Sequence, residues 1–138
     1  MTKQVHGHIL PPRLVELIEA GSWRSRAACD FSALPIEDRE DLLLLDLAGM
    51  ERNTQSLKAA FAGRQGGILG LTDSSAPAAG LLAVDLAVLI AVTYGQEGLA
   101  LDYSVGERPR VVATSGSTWV EVAPSIEVLV ELIRLPGR

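Results

Sequence analysis

From about residue 84 onward, apolar positions come in short blocks separated by turn-forming residues. Residues 86–92 are an unbroken apolar run between Asp85 and Gly95. The run is too short for a helix of ordinary length and has the pattern of a strand buried on both faces. Gly95-Gln96-Glu97-Gly98 fits a hairpin connection to the next block at 99–103. Residues 110–114 and 118–122 follow, split by the turn triplet Ser115-Gly116-Ser117. Consecutive strands on connections this short predict a mainly antiparallel meander, because parallel neighbours need long crossovers.

Upstream the rhythm becomes helical. Pro11-Pro12 opens a helix near 12–20, with Leu14, Leu17 and Ile18 on one stripe and Gly21 as its stop. Trp23 reads as the packing residue that closes that end. Four leucines at 42–45, held between Asp41 and Asp46, have a length that fits a buried strand or a short helical turn, and read as a strand at the sheet edge. A second helix is predicted near 48–62, where Met50, Leu57 and Phe61 share a face with Thr54 between them and Gly63 follows. Ile68, Leu69 and Leu71 predict a strand near 67–71, and residues 72–80 are a small-residue loop. A last helix near 125–134 starts at Ser125 as N-cap and carries Ile126, Leu129, Val130 and Ile133 on one stripe. Arg134 suits the negative end of its dipole, and Pro136-Gly137 end it.

The predicted fold is therefore α+β. A mainly antiparallel sheet (strands near 67–71, 86–94, 99–103, 110–114 and 118–122) carries helices near 12–20, 48–62 and 125–134. Residues 1–10 read as a loose polar arm and 11–138 as a single domain.

Composition narrows the function. At 138 residues and 48% hydrophobic, the chain can bury a core, which argues against disorder over most of its length. The net charge of −5 disfavours a broad nucleic-acid surface. Acid is concentrated between residues 27 and 51, where Asp30, Glu37, Asp38, Glu40, Asp41, Asp46 and Glu51 face one base, Arg39. A single cysteine, Cys29, forms no intramolecular disulfide and suits a reducing cytoplasm. No signal peptide or bilayer-length apolar span is expected.

Catalytic chemistry is sparse. The two histidines, His6 and His8, both lie in the arm, so the usual general base and nucleophilic triad are not expected in the folded body. No zinc spacing exists, and the Gly-Gly-Ile-Leu-Gly-Leu stretch ending at Leu71 lacks the lysine and hydroxyl residue of a phosphate-cradling loop. Asp85, Asp102, Glu97 and Glu121 are the candidate carboxylates, and an enzyme would need a pair of them to meet in a cleft. No catalytic residue, cofactor or metal is assigned. On the last strand, period two sets Thr118, Val120 and Val122 on one face and Trp119, Glu121 and Ala123 on the other. If the valines face the helices, Trp119 is an outward anchor for a partner. Otherwise it packs under the loop at 72–80.

Leu101-Asp102-Tyr103, Pro109-Arg110-Val111-Val112 and the segment from Trp119 to Pro124 carry a family likeness. Together with the apolar run before them and the helix after, they resemble the C-terminal half of the SUKH superfamily. These are small α+β domains related to a fungal cell-wall-assembly regulator. The likeness spans residues 9–133. It departs at Ser104 and Val120, where the family often has arginine, and at 81–83, where it often has a tryptophan-bearing proline segment.

The resemblance implies a cytoplasmic, non-catalytic protein-binding domain, of the kind that serves bacteria as immunity proteins neutralising polymorphic toxins by occlusion. It implies a protein partner, while the net charge and the lack of a bilayer-length apolar span carry the expectation of no nucleic acid and no membrane, and no cofactor is expected. Glu37, Asp38, Glu40, Asp41, Asp46, Trp119 and Glu121 form the expected contact set, with the acids steering a basic partner. The alternative is a small-molecule-binding or regulatory module with a pocket between the sheet and loop 72–80.

Overall fold

The computed structural model describes residues 3–24, 29–36, 42–63, 70–93 and 97–135. The expected meander is its centre. Strands β6 (Ala87–Val92), β7 (Gly98–Asp102), β8 (Arg110–Ser115) and β9 (Thr118–Ala123) pair in sequence, each antiparallel to the next. Strand β3 (Leu43–Leu44) joins β6 on its far side, giving the order β3-β6-β7-β8-β9. The leucine block is thus an edge strand and not the short helical turn that its length equally allowed. Every residue of β7 is buried, so both faces of the sheet are covered there. Helix α1 is Pro12–Glu19, α2 is Leu47–Ala62 and α3 is Ile126–Leu132. Helix α2 packs on β6, while α3 packs on β8, β9 and α1. The protein is an α+β fold built on a mainly antiparallel sheet.

Strand β3 is too short to cover β6, and α2 completes the job. Leu45 N–H donates to the Ile90 carbonyl at 2.9 Å, and Leu89 N–H donates to Thr54 Oγ1 at 3.0 Å. Thr54 is the one polar residue on the apolar stripe of α2, and it satisfies a strand amide at the register break between Leu89 and Ala91. A buried donor left unpaired there is costly, which accounts for a threonine in a leucine position.

Three expectations need correction. First, residues 64–69 lie outside the described residues, and only Leu71–Thr72 (β4) is extended near the expected strand at 67–71. It pairs in parallel with Leu82–Ala83 (β5) as a separate two-stranded sheet and does not join the main one. Second, the N-terminal residues are no loose arm. Gln4–Val5 (β1) and His8–Ile9 (β2) form a hairpin. His6 and Gly7 between them both have positive φ, 51° and 82°, as the favoured two-residue hairpin turn requires. Val5 and Leu10 belong to the core. Third, α3 ends at Leu132, short of the expected 134, because Arg134 turns left-handed at φ 54°.

Candidate functional site

Of the expected contact set, only Asp46, Trp119 and Glu121 fall among the described residues. Glu37, Asp38, Glu40 and Asp41 lie outside the described residues. Asp46 is the N-cap of α2, with Oδ1 accepting from Gly49 N–H at 2.7 Å. A carboxylate is well placed there, at the positive end of the helix. Trp119 is only 4% exposed, which removes it as a surface anchor. Its backbone N–H donates to the Gly80 carbonyl at 2.8 Å. Its indole lies so close to Gly70 that a Cβ there would stand 2.9 Å from Trp119 Cδ1. The second reading of Trp119, as a residue packed under the segment around 72–80, describes the structure.

Glu121 is exposed and sits at one end of a charged row. Asp102 and Arg110 are direct cross-strand partners on β7 and β8. Arg110 Nε donates to Asp102 Oδ2 at 2.8 Å, and Arg110 Nη1 lies 3.6 Å from Glu121 Oε1. The other Asp102 oxygen accepts from Ser104 N–H at 2.9 Å. Asp102 is 0% exposed, so the row fixes the start of the loop after β7 and is not a free acid–base pair. Asp85 is exposed and stands apart from it, contributing its backbone carbonyl to the hairpin.

That hairpin builds the concave surface. His8 Nε2 lies 2.8 Å from the Asp85 carbonyl, and His6 Nε2 lies 3.1 Å from the Glu51 carbonyl and 3.4 Å from its carboxylate. A carbonyl only accepts, so Nε2 carries the proton in both imidazoles. Tyr103 donates its hydroxyl to the Ile9 carbonyl at 2.7 Å, and its ring stacks on His8 with centroids 4.6 Å apart at 19°. Burial pushes the Tyr103 phenol above its ordinary pKa, so the donor keeps its proton.

Beside this latch runs a groove. A cleft of about 570 Å³ is lined by Ile9, Leu10, Pro11 and Pro12, by Glu107, Arg108 and Pro109, and by Ser125, Ile126 and Glu127. An adjoining depression of about 450 Å³ lies over Gly7, His8, Ile9, Tyr103, Glu107 and Arg108. The two adjoin, with Ile9, Glu107 and Arg108 in the walls of both. Pro12 and Ser125 place the groove at the starts of α1 and α3, and the Asp102–Arg110 pair holds both ends of the loop that supplies Glu107 and Arg108. Ile9 is 52% exposed on its lip. Among the described residues, the side chains of Glu107, Arg108 and Glu127 make no hydrogen bond or ion pair.

Sequence reasoning missed this groove because one wall was read as a free terminus. The usable signal was His6-Gly7, a two-residue turn between extended pairs. No three His, Cys, Asp or Glu side chains among the described residues converge as a metal site. No helix among them is long and apolar enough to cross a membrane. Comparisons with protein-family models, curated proteins and solved structures give no match.

Proposed function

We propose that this chain is a non-catalytic protein-binding domain of the SUKH type, and that its contact surface is the groove between the N-terminal hairpin, the loop at 103–109 and the start of α3. One observation carries the reading: an open apolar cleft is rimmed by charged groups that have no partner within the described chain. Exposed apolar surface edged with unpaired charge is the ordinary composition of a docking site. The specific form that the resemblance suggests is an immunity protein, which blocks a toxin by covering it in the cytoplasm. The alternative of a ligand pocket under loop 72–80 has less behind it: Trp119 is buried, with its indole against Gly70 and its backbone N–H bonded to the Gly80 carbonyl, so the two ends of that loop are already packed on the sheet.

Affinity capture from lysate of the source cell tests the reading. Wild type is compared with Ile9→Asp, and with a variant neutralised at Glu37, Asp38, Glu40 and Asp41. Loss of the captured protein with Ile9→Asp supports the groove. Capture unchanged by Ile9→Asp and lost on neutralisation moves the contact to the acidic run.

A further inference from the structure

We infer that the groove accepts a linear segment of its partner: an extended peptide with an apolar side chain flanked by lysine or arginine. The inference rests on the protein-binding reading above and names the occupant of that same site.

Shape is the first argument. Two adjoining depressions share Ile9, Glu107 and Arg108 in their walls, which gives two neighbouring places for ligand side chains. Two neighbouring depressions suit successive side chains of an extended chain better than one compact molecule. The floor is the second argument. Leu10 and Ile126 are almost fully buried and belong to the core, so the groove is preformed and little ordering is lost on binding. Pro11, Pro12 and Pro109 line it and carry no N–H, so the wall offers side-chain surface more than a strand edge. An apolar residue of the ligand is what such a wall rewards.

Charge selects the flanks. Glu107 and Glu127 outnumber Arg108 on the rim, and none of the three is neutralised by a partner among the described residues. The chain as a whole carries −5, which adds a field of the same sign. A basic flanking residue gains from both, while an acidic one meets repulsion.

The test uses the full chain and fluorescein-labelled hexapeptides with the cores Arg-Leu-Lys, Arg-Ser-Lys and Glu-Leu-Glu. The Arg-Leu-Lys peptide should bind and weaken with added salt, and the other two should bind at least several-fold more weakly. On the ¹⁵N-labelled protein its shifts should map to the amides of Ile9, Arg108, Ile126 and Glu127. Glu107→Gln with Glu127→Gln should weaken it about five-fold, the range expected for two exposed charges. Failure of Arg-Leu-Lys to shift the groove amides overturns the inference, as does equal binding of Glu-Leu-Glu. Binding of the protein to phosphatidylcholine–phosphatidylglycerol vesicles without any peptide response also overturns it, in favour of a lipid surface. If Ile9→Asp still abolishes partner capture while no peptide binds, the linear-segment inference fails and the protein-binding reading stands. If capture is indifferent to Ile9→Asp and no peptide binds, both fail.

Discussion

Arg110 sits directly across β7–β8 from Asp102 and holds its carboxylate at 2.8 Å, at a point where Asp102 has lost all contact with solvent. A buried carboxylate tolerates that position only with its charge matched and its oxygens hydrogen-bonded. Arg110→Met leaves the charge unmatched and should destabilise the fold by about 3 kcal/mol in denaturant titration. Asp102→Asn in the Arg110→Met background removes the stranded charge and should recover much of that loss. A double mutant no more stable than Arg110→Met would mean that the pair is incidental to stability.

Arg134 occupies a position that favours glycine. Helix α3 closes with Arg134 N–H donating to the Glu131 carbonyl and Leu135 N–H to the Val130 carbonyl, while Arg134 has φ 54°. Helix α1 ends with the same bond pattern, and there the left-handed residue is Gly21 at φ 73°. An L side chain in that region costs energy that glycine does not. Arg134→Gly should therefore stabilise the protein by about 0.5–1 kcal/mol, read as a rise in the urea midpoint at unchanged slope.

Gly70 reports on Trp119. Its φ is 80°, and an added Cβ would lie 2.8 Å from the Ser117 carbonyl oxygen as well as 2.9 Å from the indole. Backbone cannot step aside as a flexible side chain would. Gly70→Ala should cost about 2 kcal/mol and shift the Trp119 emission to longer wavelength as the covering segment lifts. A Trp23→Phe background isolates that signal. Emission unchanged in Gly70→Ala would contradict the packing described for Trp119.

The meander was legible because short connections leave antiparallel pairing as the only geometry. The edge strand was legible only in part, because a four-leucine block between Asp41 and Asp46 fits a strand or a short helical turn and only its pairing with β6 decides. The face of β9 was not. Strict alternation groups Ala123 with Trp119 and Glu121. The structure pairs Glu121 with Val112 but Ala123 with Val111, so Val122 is an extra residue and Ala123 passes to the opposite face. A bulge leaves little trace in a hydrophobic pattern, because it changes spacing and not composition. The valines therefore do not form one inward stripe, and Val120 is exposed. The N-terminal hairpin was hidden for another reason. Its strands are two residues each, and they are held by His6, His8 and Tyr103 reaching across long sequence separations, which no local window detects.

That latch makes stability depend on alkaline pH, with a sign fixed by burial. Folding withdraws the Tyr103 phenol from water and raises its pKa above that of free tyrosine. The folded state thus favours the neutral hydroxyl, and the stabilisation is fully present below the unfolded pKa, about 10. Above that value the unfolded chain releases the proton more readily than the folded one. Stability then falls with rising pH until the folded pKa is passed. Tyr103→Phe keeps the ring on His8 and removes both the titration and the bond to the Ile9 carbonyl. It should cost about 1 kcal/mol at neutral pH, the net worth of one hydrogen bond. It should also flatten the alkaline loss relative to wild type. Hydrogen exchange locates the effect: amides of Val5, His8 and Leu10 should exchange faster in the variant while those of β7 keep their protection. Equal alkaline slopes in the two proteins would show that the phenol is not what holds the hairpin, and the wall of the groove would need another support.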